Sequence, residues 1–289
     1  MFMINTNIKA SWRKRLPYML ILPALIFALV YRIYPIFYSF FRAFHYKGEL
    51  SLQTYINLFQ DTNFWSSFWI TIKMNLVMIP LQIVISFILA LLVNASLRGI
   101  GVFRSLYYLP VTISMPVAAI CWSMILNYNS GVVNSIITSL FGVEQQGFFN
   151  DANQALWCVI LLCTWKGCGY WMMFFLAGLK GIDSSLYEAA TMDGAGFFRK
   201  LFSITIPMLR KTTLFVTVAN TSINLLLFAP MMLITSGGPS GTTNVLMYEA
   251  YKQAFKYGNY DKGSAITSIL VVLILVVVFL QFKLMDDKD

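Results

Sequence analysis

The sequence predicts an all-α integral membrane protein of six transmembrane helices, and three observations predict it. The 289 residues are 58% apolar and only 11% charged, whereas a water-soluble domain runs nearer ~45–50% apolar and ~25% charged. Such a chain has too little polar surface to coat a globule in water, so lipid is its solvent. Apolar runs of the ~20 residues needed to cross a bilayer as helix recur along the whole length. Lys and Arg gather in alternate gaps between those runs, the pattern that sets membrane orientation.

The first run covers residues 16–41 and follows Lys9, Arg13, Lys14 and Arg15. It is far longer than a signal peptide's apolar stretch of ~7–15 residues, and no small-x-small cleavage site follows it, so it is expected to remain as a span. The next five runs are 69–95, 103–126, 155–179, 214–235 and 264–284. Pro110 and Pro116 should break or bend the third, and Pro230 the fifth, because proline removes a helical donor and crowds the preceding turn. The chain therefore divides into an N-terminal segment 1–15, a membrane domain 16–284 with its longest internal loop at 180–213, and a tail 285–289.

With the N-terminus in the cytoplasm, thirteen Lys and Arg residues fall on the cytoplasmic side and five outside; Arg32, Lys73 and Lys166 lie within spans. Both termini are expected to be cytoplasmic. The net charge of +9 is thus explained by orientation and not by a nucleic-acid partner. Arg32 and Lys73 sit near span ends where long side chains snorkel. Lys166, near mid-span, calls for a buried ion pair or snorkelling before sugar contact.

No catalytic constellation and no metal site is apparent. Cys121, Cys158, Cys163 and Cys168 lie in apolar stretches without a CxxC pair or a nearby His, and read as small apolar side chains. No G-x-x-x-x-G-K-[ST] phosphate loop occurs, so the chain is not expected to bind or hydrolyse ATP.

Between spans four and five stands DSSLYEAATMDGAGFFRKLFSITIP, residues 183–207. Ser185 and Glu188 have the spacing of a capping box, predicting a helix from about Leu186. Gly194 and Gly196 interrupt it. A second short helix should run from Phe197 to about Ser203, ending before Pro207, which disfavours helical geometry at Ile206. Phe197, Phe198 and Phe202 are unusual in a segment facing only water. This local pattern leaves two readings open: a helix lying on the bilayer surface, or one that docks in a groove of a soluble partner.

Glu188, Ala189, Ala190, Gly194, Ile204 and Pro207 fall at the spacing of the EAA loop, and the segment resembles that of ABC importer permeases, with Ile206 where leucine is usual. The run Met192-Asp-Gly-Ala195 resembles the carbohydrate branch, of maltose and glycerol-phosphate type. Arg104, Pro110, Trp122, Gly131-x-x-Asn134, Trp165, Gly169, Ala177-Gly-Leu179, Thr235-Ser-Gly-Gly-Pro239, Tyr251 and Phe255 extend the likeness in order along the chain. The resemblance implies a permease subunit of a bacterial cytoplasmic membrane importer, lining half of a path for a sugar or oligosaccharide. It implies four further components: a second homologous permease, a cytoplasmic ATPase dimer that holds ATP and magnesium, an extracytoplasmic solute-binding protein, and the carbohydrate. It also assigns ATPase coupling to Glu188, Ala189, Ala190 and Gly194, with Asp193 beside them.

Within the fifth span Thr217, Asn220, Thr221 and Asn224 recur at i, i+3, i+4 and i+7, one polar stripe on an apolar helix. Such a stripe serves either solute contact or hydrogen bonding between helices. Trp122 and Tyr170 could stack on a pyranose face. Glycerol phosphate or another small polar solute is an alternative cargo. An ion-coupled carrier is a different class, but it would need carboxylates in the membrane, and every Asp and Glu lies outside the predicted spans.

Overall fold

The computed structural model describes residues 6–46, 48–95 and 99–286, with side chains from Leu16 to Leu284. The side chains of Lys9, Arg13, Lys14 and Arg15, the residues Lys47, Arg98 and Lys288, and thus the 1–15 segment and the 285–289 tail as charge carriers, lie outside that description.

Among the described residues four helices are long and apolar enough to cross a membrane, and two bent pairs raise the number to six if each is one span. In chain order α1 is Leu16–Ala43, followed by a small hairpin of β1 (His45–Tyr46) and β2 (Glu49–Leu50), antiparallel with His45 opposite Leu50. Then come α2 (Gln53–Phe59), α3 (Thr62–Asn94), α4 (Ile100–Thr112), α5 (Met115–Ile125) and α6 (Val132–Phe141). The chain continues with α7 (Ala155–Lys180), α8 (Ser184–Met192), α9 (Phe197–Met208), α10 (Arg210–Leu225), α11 (Leu246–Tyr251) and α12 (Tyr260–Asp286).

The third and fifth runs are not continuous spans. Between α4 and α5 the axis turns by 99°: Ile113 and Ser114 are extended, and Pro116 has no N–H to continue the helical ladder. In the fifth run α10 begins at Arg210 and stops at Leu225, so its 16 residues reach only about 24 Å. The residue four before Pro230 is Leu226, whose carbonyl the proline ring would strike. The chain leaves the helix there, and resumes as a single π-turn at Met231–Thr235.

α7 is the axis of the bundle. Its flank against α3 is the largest helix contact, and the buried face of α3 reads Ser67, Thr71, Met74, Asn75, Met78, Gln82, Ser86, Ala90 and Val93, a 3–4 residue repeat. Small and polar residues suit that face, because helices in lipid associate through close packing and hydrogen bonds rather than water exclusion. Ser86 donates to the Cys168 carbonyl at 3.0 Å, and the Gln82 amide to the Cys163 carbonyl at 2.9 Å. Gly169 permits the other crossing, since a Cβ there would lie 2.1 Å from the Tyr107 carbonyl oxygen of α4. Of the cysteines, Cys158, Cys163 and Cys168 are buried, but Cys121 is exposed.

At one end of the bundle, loops are tied across the sequence. Asp61 pairs with Lys262 at 2.6 Å and Arg42 with Asp261 at 2.9 Å. Asn134 accepts from the Gln146 N–H and donates to carbonyls of Tyr128 and Gln146, folding the segment after α5 back on itself. The 183–208 segment is at the end of α7 that lies remote from these contacts.

Candidate functional site

The segment after α7 holds its shape by itself. Asp183, not Ser185, caps α8: its carboxylate accepts the Ser185 N–H at 2.9 Å, and the helix starts at Ser184. That hydrogen bond holds the Asp183 carboxyl below its ordinary value. Asp183 wins because it stands just before the first helical residue and offers a charged acceptor to the positive helix end. Glu188 is therefore free of capping duty.

At the other end Gly194 sits at φ +74°. Its N–H donates to the Thr191 carbonyl at 3.0 Å and the Ala195 N–H to the Ala190 carbonyl at 2.8 Å, the paired bonds of a Schellman stop. This geometry accounts for a glycine at this spacing after the two alanines. No atom lies within 4 Å of a Cβ built on Gly194, so the chain itself does not crowd it.

α9 runs farther than its proline suggests. Residues Leu201–Thr205 form a π-turn, and Ile206 is helical, at φ −63° and ψ −47°. The wider turn makes room for Pro207, and the helix reaches Met208. α8 and α9 are tied by Tyr187 to Thr205 at 2.9 Å and by Lys200 to Thr191 at 2.7 Å.

What this hairpin presents is unpartnered. Glu188, Ala189, Asp193 and Gly194 are exposed and Ala190 is half-buried. Around them Met192 is 89%, Phe198 72%, Phe197 67% and Phe202 64% exposed. Among the described residues no side chain pairs with Glu188 or Asp193.

The polar stripe of α10 divides between two cavities. Asn220 and Asn224, with Tyr170, Trp171, Lys166, Gln82 and Met115, line one of about 270 Å³. Thr217 and Thr221 face another of about 500 Å³, between α3, α10 and α12, where Gln281 donates to Thr221 at 2.8 Å. Trp122 lines neither, and rests against Trp165 with ring centroids 5.7 Å apart.

In the smaller cavity Asn224 donates to Gln82 Oε1 at 2.8 Å and to Asn220 Oδ1 at 2.7 Å. Gln82 thus links three helices, and Gly167 leaves it room, since a Cβ there would lie 2.9 Å from Gln82 Nε2. Among the described residues Asn220 Nδ2 finds no acceptor. Gln82 is absent from the sequence-derived candidates, although a glutamine in the middle of an apolar span is itself a signal. Among the described residues Lys166 forms no ion pair, and it does not snorkel. Its ammonium donates to the carbonyls of Pro110 (3.2 Å), Val111 (3.4 Å) and Ile113 (2.5 Å).

Residues 82–288 match the family described as binding-protein-dependent transport system inner membrane component. The chain is 30% identical over 279 residues to the trehalose/maltose transport system permease protein MalF of Thermococcus litoralis, covering 94% of each. It is 31% identical over 286 residues to the sn-glycerol-3-phosphate transport system permease protein UgpA of Yersinia enterocolitica, covering 96% of this chain and 95% of that one. In fold it is similar to a chain of a bacterial ABC transporter involved in the import of the acidic polysaccharide alginate, with TM-score 0.88 and 22% identity over 97% of this chain and 99% of that one. A second structure of an alginate ABC transporter, in complex with an alginate pentasaccharide-bound periplasmic protein, gives TM-score 0.86 at 23% identity over 96% of each chain.

Proposed function

The chain belongs to the binding-protein-dependent transport system inner membrane component family, and from that premise we propose that its cargo is a carbohydrate. It is a permease subunit of an ABC importer, a transport component and not an enzyme. The observation that carries the cargo is the unmatched Asn220 amide beside Asn224, Gln82 and Tyr170. A sugar offers what this wall lacks: hydroxyl oxygens to accept from buried amides, and C–H faces to lie on aromatic rings.

Asn220, Asn224 and Tyr170 form the solute wall in this reading. Thr221 holds α10 against α12, Thr217 bonds within α10 beside it, and Trp122 stiffens the approach. Phosphate cargo is disfavoured, because Lys166, the one cation among the described residues that line the cavity, is already committed to backbone carbonyls. The α8–α9 hairpin is the coupling element. Its exposed carboxylates at Glu188 and Asp193, the small Ala189 and Ala190, and its aromatic rim suit a groove on a cytoplasmic ATPase subunit that carries ATP and magnesium. A second permease completes the path, and an extracytoplasmic solute-binding protein delivers the sugar. The 183–208 end then faces the cytoplasm.

Uptake by the reconstituted complex tests the cargo. Asn220→Ala and Asn224→Ala should raise KM for a transported disaccharide with assembly unchanged. Transport of glycerol 3-phosphate but of no sugar would refute the carbohydrate reading. Single cysteines at Ser203 and Ser240, in a background lacking the four native ones, should label from opposite sides of the membrane. Labelling of Ser203→Cys from outside intact cells would reverse the orientation.

A further inference from the structure

Lys166 stands at the middle of α7, where an ammonium in lipid is costly unless something receives its protons. What receives them is the end of α4. The last carbonyls of a helix have no intrahelical donor, and here the extended backbone at Ile113 and Ser114 removes the N–H groups that would have followed. Pro116 supplies none. The carbonyl of Pro110, that of Val111 and that of Ile113 all turn to Lys166 Nζ. Three donors meet three acceptors at the negative end of a helix dipole. Each group answers a deficit of the other that lipid could not.

The contact bears on the cavity through the joint between α4 and α5. One turn along α7, Gly169 lets α4 pack backbone against backbone, so the α4–α7 crossing is fixed. What stays adjustable is the 99° corner after Thr112, and that corner is what Lys166 grips. Met115, the first residue of α5, lines the cavity together with Lys166, Asn220 and Asn224.

We propose that Lys166 is a positioning residue: its ammonium pins the corner of the broken third span and so sets where α5 stands as a wall of the solute cavity. The pin is a property of the fold, and its effect on solute affinity rests on the reading of that cavity given above.

The test uses the full complex reconstituted in liposomes, with Cys121, Cys158, Cys163 and Cys168 replaced by alanine and Met115→Cys introduced. Labelling of that thiol by a small methanethiosulfonate reports the position of α5, and disaccharide uptake reports KM. Lys166→Met keeps the stem and removes the charge, which favours insertion, and co-purification with the ATPase confirms assembly. We expect the labelling rate to change about tenfold and KM to rise about tenfold, a shift of the size one strong polar contact provides. Lys166→Arg, which keeps a cation with several donors, should restore most of the labelling rate. If Lys166→Met leaves labelling unchanged, the pin is refuted, and a rise in KM on that background would make the ammonium a direct solute ligand. If labelling shifts while Asn220→Ala leaves KM unaltered, the pin stands and the cavity is not the solute path.

Discussion

The α8–α9 hairpin and the loop that carries α11 are both short polar segments joining helices, yet they are built on opposite principles. The hairpin is held by contacts within some twenty residues: Asp183 to Ser185, Gly194 to Thr191, Tyr187 to Thr205. Its charges and rings point outward. In the α11 loop the polar groups point inward and are matched across the chain. Glu249 is buried, receiving hydrogen bonds from Asn244 at 2.8 Å and Gln253 at 2.7 Å and an ion pair from Lys252 at 2.8 Å. Asn244 also donates to Ser67 of α3, and the Leu246 N–H to Thr71. The exposed segment leaves its carboxylates and rings free, whereas the buried one turns its carboxylate and amides onto groups of the bundle.

Glutamate substitutions should separate the two most sharply. Glu249→Gln strips a buried carboxylate from its lysine and should cost about 3 kcal/mol of stability. Glu188→Gln changes an exposed residue without a partner among the described residues, and should stay within about 0.5 kcal/mol while lowering uptake. Thermal unfolding of the purified protein in detergent measures both; equal losses would erase the contrast. Next in size is Gly194→Val, which places a β-branched residue at φ +74° and imposes about 1–3 kcal/mol of local strain. Uptake and ATPase co-purification should fall together, with membrane insertion normal. Retained uptake would mean that the hairpin only lies on the bilayer.

Acidification should act on the α11 end. Burial pushes the Glu249 carboxyl up, but its hydrogen bonds from Asn244, Gln253 and Lys252 outweigh this and leave it below its ordinary value. At Asp61 burial is likewise outweighed, by Lys262 and the backbone N–H groups of Asn63 and Phe64. Groups with folded values lowered in this way contribute stability that is complete above the ordinary carboxylate value of about 4 and is lost as pH falls through the folded one. The unfolding temperature should thus drop as pH is taken below about 4, and Glu249→Gln should flatten the drop. The most local effect is expected from Asp183→Ala, which removes the side-chain cap of α8. Hydrogen exchange should quicken in α8 and leave α11 unaltered.

The same contrast marks what could be read from residues alone. The hairpin was legible because its causes are local: a capping residue before an apolar run, and a glycine where the chain must turn. Even there, Asp183 rather than Ser185 caps, because two neighbouring acceptors compete and a charge decides. The α11 network was not legible, since nothing near Glu249 announces Ser67 or Thr71, some 180 residues away in the chain.

By itself the sequence determined the solvent, the positions of the apolar runs, the proline corners and the exposed hairpin, all of which follow from composition and near-neighbour stereochemistry. Only the tertiary structure decided that α10 ends at Leu225, that its polar stripe splits so that Asn220 and Asn224 meet Gln82 while Thr217 and Thr221 turn toward α12, and that Lys166 answers backbone carbonyls instead of a carboxylate. The physical reason is the one lipid imposes. A buried polar group there has no lipid partner and must look to the protein or its solute, and which protein group lies near it depends on how helices far apart in the sequence cross.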